Sequence, residues 1–476
     1  MGNRLIDRAL DSQAVQHVRG SGLRARVIRG IGGTFVLRAG NAGIQFATGL
    51  LLARALGVDR FGVFNYAATW ITLLIVPAIF GMDRLLIREL SVHRARAAWG
   101  TMRGLLRYAT RASLVFAILL AAAVALLGWI TYQLTGRPAL LKAEQVGLAK
   151  PALYTLWIAL IVLPLWSVLL VQSAAMQGLR HVVVGQVPEQ IVGPGLFLVL
   201  VIAAYAFGVF ESAQWMTAFE AVGIALALIY SRSLLNRKVP PSARNADPVM
   251  EPRVWIAGAI PLTMNRALVT VNSQVDVLML GAMAGTSAVG VFTAALRGMQ
   301  LITLVLLSVN TALAPNLAQL HAEGDKERLE RTVTQSALLM LVMALPVALF
   351  FLVSGHWFLG LFGRGFRVGY AALLALTAGQ VINLATGSVG TLLIMTNHER
   401  AAMSSAAAGV IVHVALGVLL IPNWNAEGAA VARSFGVVFS NLLMVGVAWR
   451  RLGIQTTALG GIMYWLGVAR RRFRRA

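Results

Sequence analysis

Residues 34–70 read TFVLRAGNAGIQFATGLLLARALGVDRFGVFNYAATW, and residues 262–298 read LTMNRALVTVNSQVDVLMLGAMAGTSAVGVFTAALRG. The two stretches align without gaps at an offset of 262 − 34 = 228. They pair Arg38 with Arg266, Leu50 with Leu278, Leu52 with Leu280, Gly57 with Gly285, Gly62 with Gly290, Val63 with Val291, Phe64 with Phe292 and Ala67 with Ala295. Chance matches apolar letters readily in a chain this hydrophobic. It seldom matches an arginine inside an apolar run together with two glycines at a turn. The sequence is therefore read as two related halves.

The composition identifies the medium in which they fold. Of 476 residues, 58% are apolar and 12% charged, with a mean hydropathy of +0.75, whereas soluble domains are about 25% charged. A hydrocarbon core of ~30 Å takes ~20 apolar residues of helix. Apolar windows place spans near 31–53, 61–81, 108–132, 151–174, 187–208, 213–231, 255–282, 286–311, 333–354, 370–396, 402–422 and 426–449. The predicted fold is an all-α polytopic membrane protein of about 12 transmembrane helices in two pseudo-symmetric six-helix lobes around a central cavity. Residues 1–30 read as a cytoplasmic basic arm, 31–231 as the N-lobe and 232–254 as a polar linker containing Pro240, Pro241, Pro248 and Pro252. Residues 255–449 read as the C-lobe and 450–476 as a basic, interfacial segment. Six spans separate the copies, so both halves enter the membrane in the same direction.

The net charge of +23, from 41 Lys+Arg and 18 Asp+Glu, acquires its meaning from position. With the amino terminus inside, about 29 basic residues fall in cytoplasmic segments and about 7 in external ones: Arg54, Arg60, Arg137, Lys142, Lys150, Arg364 and Arg367. The bias predicts a multi-pass membrane protein with both termini in the cytoplasm. It makes contact with anionic membrane lipids a secondary use of the charge and argues against nucleic acid as a partner. There is no cysteine, and hence no disulfide or thiolate chemistry. No phosphate-binding loop, H-E-x-x-H or cluster of His and carboxylates occurs, so neither a cofactor nor a bound metal is expected. The longest external connection, Gln133–Lys150, carries only one acid, Glu144. The chain is accordingly read as a protein that is not an enzyme.

A charge within a span costs at least ~2.5–3.5 kcal/mol and must face water, a partner or a ligand. Arg38, Arg266 and Arg297 lie at such depth, and the repeat sets Arg38 and Arg266 on opposing walls of one cavity, a cationic arrangement suited to phosphate oxygens. Asp276 follows Arg266 by ten residues, about 15 Å along a helix, too far to pair with it. It is read first as a structural hydrogen-bond acceptor or the partner of an arginine on another helix and second, with Glu220, as a carboxylate for a coupling H+ or Na+. Asn265, Asn272, Gln274, Gln300, Gln380 and Asn383 are the polar residues expected to line the cavity, with helix packing as the alternative. Glu189, beside Pro188, reads as a boundary residue of the fifth span, and His413, isolated in the sequence, as a buried hydrogen-bonded histidine, with a proton relay as the alternative.

Several segments together resemble the polysaccharide-transporter branch, the Wzx-type flippases, of the multidrug/oligosaccharidyl-lipid/polysaccharide exporter superfamily. They are LLLARALGVDRFGVFNYAATW, FGMDRLLIREL, SQVDVLMLGAMAGTSAVGVFTAALRG, LLIMTNHERAA and NAEGAAVARSFG, within a likeness running from about Thr34 to Arg450. The resemblance implies two lobes forming a V-shaped cavity and alternating-access transport of undecaprenyl-pyrophosphate-linked oligosaccharide repeat units across the bacterial inner membrane. It also implies a lipid-linked glycan as substrate, glycan polymerases as partners, and Arg38, Arg266 and Arg297 as contacts for pyrophosphate or acidic sugars. A multidrug antiporter and a lipid II flippase are the alternatives within the same superfamily.

Overall fold

The computed structural model describes residues 3–135, 149–208 and 212–461, and every regular element among them is helical. The first half contains α1 (Asn3–Ile79), α2 (Met82–Ala95), α3 (Trp99–Thr135), α4 (Ala149–Gly178), α5 (Val182–Val187), a π-helical turn (Pro188–Val192), α6 (Gly193–Phe207) and α7 (Ala213–Lys238). After the short α8 (Pro241–Asn245) come α9 (Pro252–Met283), α10 (Thr286–Ala322), α11 (Lys326–Phe362), a 3-10 turn (Arg364–Gly369), α12 (Tyr370–Ala385), α13 (Val389–Met395) and α14 (Glu399–Leu452).

Ten helices among the described residues are long and apolar enough to cross a membrane, where the sequence suggested twelve spans. The difference lies in two of them, Gly32–Ile79 with 48 residues and Glu399–Leu452 with 54, each about twice the ~20 residues one crossing takes. Each contains a break. Gly57 (φ 71°, ψ 179°) interrupts α1 and Asn425 (φ 46°, ψ −122°) interrupts α14. Gly285, the repeat mate of Gly57, has φ 86° and ψ 179° and separates α9 from α10. Positive φ with extended ψ is open essentially to glycine alone. The paired glycines of the repeat thus make the same turn in both halves. Around Asn425 the two parts of α14 fold back on each other, and Gly409 and Gly436 let their backbones meet.

The apolar core explains how the halves sit together. One cluster runs through both at the end where Gly57, Gly285 and the 3-10 turn lie, called the distal end below; it joins Leu52, Phe61 and Phe64 to Phe292, Phe358, Phe366 and Ala430. Toward the opposite, proximal end, the core divides. One cluster holds Ile79, Leu86, Leu105 and Leu163 of the first half, another Leu317, Val333, Leu392 and Ala448 of the second. Trp255 and Ala259, at the start of α9, pack into the first of these. The second half therefore begins inside the core of the first.

The predicted polar linker is not a loose connection. Val249 N–H donates to Gly100 O at 3.1 Å, Arg103 donates to Ala246 O at 2.6 Å, and a side chain at Gly104 would collide with Val249 O. Glycines 100 and 104 give α3 a bare face on which the segment lies. Beyond α14, Ile454, Thr456 and Ala458 are buried; the rest of the predicted interfacial segment, residues 462–476, falls outside the described residues.

Candidate functional site

The first-half pocket begins with an irregularity in a helix. Between α5 and α6 the chain makes one π-helical turn, Pro188–Val192, followed by Gly193 and Pro194. A π turn inserts an extra residue and re-aims the side chains around it. Here it directs Glu189 and Gln190 into a cavity of about 230 Å3 lined also by Asn41, Gln45 and Thr48 of α1, Asn65 beyond the Gly57 break, Trp166 of α4 and Glu220 of α7. Asn41 donates to Gln190 at 3.0 Å, while its Oδ1 is buried without a partner. Glu189 accepts a hydrogen bond from Ser173. Glu189 is thus a cavity residue in the middle of a helix, where the sequence reading took it for a boundary residue.

One wall comes from the other half. Arg297, on α10, enters the same cavity and packs over Gly49, where an added Cβ would lie 3.5 Å from Arg297 Nε. That Nε is buried and unpartnered; the guanidinium reaches only Gln300 at 3.5 Å, the limit of a hydrogen bond. Gln300 itself is exposed.

The repeat places a second pocket in the other half. At the offset of 228, Asn41, Gln45 and Thr48 correspond to Val269, Ser273 and Asp276. Val269 and Ser273 line a cavity of about 270 Å3 with Asn272, His413, Arg433, Ser440 and Asn441. Asp276, 1% exposed, underlies it: one carboxylate oxygen is engaged by His413 and the other by Arg433. His413 is thus buried and hydrogen-bonded, and Asp276 is both a hydrogen-bond acceptor and the partner of an arginine on another helix. A buried charge pair left without one member is strongly destabilised, so the triad ties α9 to both parts of α14. Gln380, 7% exposed, accepts from Asn383 at 3.3 Å, and Asn383 accepts from Asn441 at 2.6 Å. These amides link α12 to α14, the packing role. Gln274 lines neither cavity, and the side chain of Asn265 is outside the described set.

Below the first pocket, α1 and α10 part toward the proximal end, leaving Phe35, Val36, Arg38, Leu301, Leu304 and Leu307 exposed. Arg266 is tied to Asp83, at the start of α2, which bridges the two halves. Arg38 makes no ion pair among the described residues. Neither Arg38 nor Arg266 lines either pocket, though both act electrostatically on Glu189. They are not equivalent, because at the same offset Asp83 corresponds to Thr311.

The distal end is closed by the repeat itself. A side chain on Gly62 would collide with Thr286 O and one on Gly290 with Val58 O, reciprocal contacts between repeat-related positions. Asp59 accepts a hydrogen bond from Ser287, its own mate at 59 + 228 = 287. Arg54 donates to Leu361 O, and Phe61 meets Phe366 edge-on at 5.6 Å between ring centroids. Together these features make a cleft sealed distally, open proximally between α1 and α10, with one polar pocket in each half.

Comparison with known proteins agrees with this architecture. The chain is 23% identical over 172 residues to a probable low-salt glycan biosynthesis flippase of Haloferax volcanii, covering 36% of each sequence, so it spans about a third of that curated relative's length. Among solved structures, it superposes with a TM-score of 0.66 on an inward-facing multidrug resistance MATE family transporter of the MOP superfamily (16% identity, 87% of this chain and 94% of that one). It superposes with 0.65 on the lipid II flippase MurJ in an inward closed conformation (13% identity, 88% and 87%). Residues 261–419 also match the MatE family. Residues 27–321, more than half of the chain, match the family described as polysaccharide biosynthesis protein, and the chain belongs to that family, the polysaccharide-transporter branch of the multidrug/oligosaccharidyl-lipid/polysaccharide exporter superfamily.

Proposed function

We propose that this protein is a flippase that carries undecaprenyl-pyrophosphate-linked oligosaccharide repeat units from the cytoplasmic to the outer leaflet of the inner membrane. The observation that carries the reading is the proximal end of the cleft, where Arg38 is exposed without an ion pair among the described residues and Arg266 is held by Asp83 from the other half. A diphosphate taken bare through hydrocarbon pays the desolvation cost of unpaired charge. The cleft supplies an alternative in which Arg38 binds phosphate oxygens directly. Arg266 exchanges Asp83 for a second phosphate, which loosens the bridge between the halves as the substrate arrives. The apolar side chains flanking the opening suit a polyprenyl tail that remains in lipid. Opening of the distal contacts then releases the headgroup on the other side.

A coupling H+ or Na+ belongs to the same reading. Asp276 has both oxygens engaged by His413 and Arg433, so a coupling ion there would have to displace one of them. Glycan polymerases are the partners expected on the outer face. The alternative, a multidrug antiporter, draws on the MatE match and predicts drug sensitivity with intact glycans when the gene is deleted; the flippase predicts lost surface glycan and accumulated lipid-linked units. In liposomes containing a fluorescent undecaprenyl-diphosphate glycan, Arg38→Ala should slow flipping about tenfold or more, the loss of one charge-assisted contact of ~1.5–3 kcal/mol. An unchanged rate removes Arg38 from the site.

A further inference from the structure

We infer that the first-half pocket is a sugar subsite, holding the glycan residue next to the diphosphate, and that Arg297 makes its affinity depend on closure of the distal end. The inference rests on the flippase reading and specifies where its substrate's headgroup lies. Three observations carry it.

The first is the pattern of unmet hydrogen bonds. Within one cavity, Asn41 Oδ1 is a buried acceptor without a donor and Arg297 Nε a buried donor without an acceptor. Glu220 faces the same space and has no partner among the described residues. An orphaned buried polar group is costly, and groups of both kinds in one site require a ligand that both donates and accepts. A bare cation satisfies Asn41 and Glu220 but opposes Arg297, and an anion does the reverse. A hydroxyl-rich group satisfies all three.

The second is shape and surface. At about 230 Å3 the cavity holds several waters at ~30 Å3 each, far more than one ion needs. Its walls combine the rings of Phe61, Phe64, Trp166 and Phe197 with the polar groups of Asn41, Gln45, Asn65, Gln190 and the two carboxylates Glu189 and Glu220. The rings offer flat apolar surface to the C–H faces of a pyranose, and the amides and carboxylates meet its rim of hydroxyls.

The third is the provenance of the walls. All of them come from the first half except Arg297, which α10 delivers from the second. Gly290, at the distal crossing, precedes Arg297 by seven residues, about 10 Å of the same helix. Separating the distal ends withdraws Arg297 from the pocket. The site is complete only while the exit is shut, so opening the exit lowers the sugar's affinity, as directional release requires.

The test uses the purified full chain in lipid nanodiscs and three probes: undecaprenyl diphosphate bearing one N-acetylhexosamine, bare undecaprenyl diphosphate, and a free N-acetylhexosamine disaccharide at millimolar concentration. Glu220→Gln and Trp166→Leu should each reduce the preference for the sugar-bearing over the bare lipid about tenfold, and the disaccharide should compete only with the sugar-bearing lipid. Arg297→Gln should reduce the same preference, and a cross-link holding the distal end shut should restore none of it. Equal loss for both lipids, or no loss in either variant, overturns the subsite. In proteoliposomes, a Glu220→Gln effect confined to the response of flipping to an imposed proton or Na+ gradient also overturns it and makes the pocket a coupling site. Disaccharide binding without binding of either lipid preserves the subsite and refutes the diphosphate carrier reading. Lipid binding without sugar preference does the opposite.

Discussion

Arg266 and Arg433 show how one residue type serves different ends within a single half. Arg433 is held inside the protein by a buried carboxylate whose other oxygen is engaged by His413. Arg266 is 25% exposed, pairs with an acid from the other half and borders the cleft. Replacing Arg433 leaves Asp276 buried with a single partner, a loss of ~3–5 kcal/mol by comparison with other broken buried pairs. Arg433→Ala should therefore lower the midpoint of thermal unfolding in detergent markedly, with Asp276→Asn in the same background recovering part of it; independent, additive effects would refute the triad as a unit. Asp276 could be recognised from the sequence as a carboxylate at membrane depth that its own helix could not pair. The identity of its arginine partner could not, because 157 residues separate the two and nothing local connects them.

At the level of the helix, glycine sets both the breaks and the contacts. Gly57 and Gly285 turn the chain at matched places, and five positions later Gly62 and Gly290 allow the helices that follow to cross with backbone against backbone. A methyl group at either crossing position has no flexible side chain to displace, only a carbonyl. Gly62→Ala and Gly290→Ala should each cost ~1–3 kcal/mol of the closed arrangement, measured as increased alkylation of a cysteine placed at Ser287. Gly446→Ala, on a helix face with nothing within 4 Å, should leave alkylation unchanged. The repeat made these glycines legible as a pair. The π turn at Pro188–Val192 was not legible, since a proline at the head of an apolar run reads equally well as the start of a helix, and the true helix begins five residues earlier, at Val182. That misplacement is why Glu189 looked like a boundary residue.

For the whole molecule, the division of the core matters most. A shared cluster at the distal end and separate clusters proximally describe two bodies hinged shut at one end, held on one side of the cleft by Arg266 and Asp83 and open on the other. Transport by rocking requires the distal contacts to break in each cycle. The chain has no cysteine, so Asp59→Cys with Ser287→Cys introduces a single possible disulfide between the halves. Oxidation should abolish flipping in liposomes and reduction should restore it, while each single variant remains unaffected by oxidant. Transport that persists in the fully cross-linked protein would rule out rocking about this contact.

The sequence by itself determined the membrane-embedded helices, the duplication at 228 residues and the matched turns, because composition, periodicity and repetition are properties of the chain read in order. Only the tertiary structure decided that Arg266 is neutralised by Asp83 while Arg38 is not, that Arg297 completes a pocket belonging to the other half, and that a π turn brings Glu189 into it. Those outcomes depend on side chains brought together from opposite halves and on a one-residue change of helical register, and neither leaves a mark in the linear pattern of apolar and polar residues.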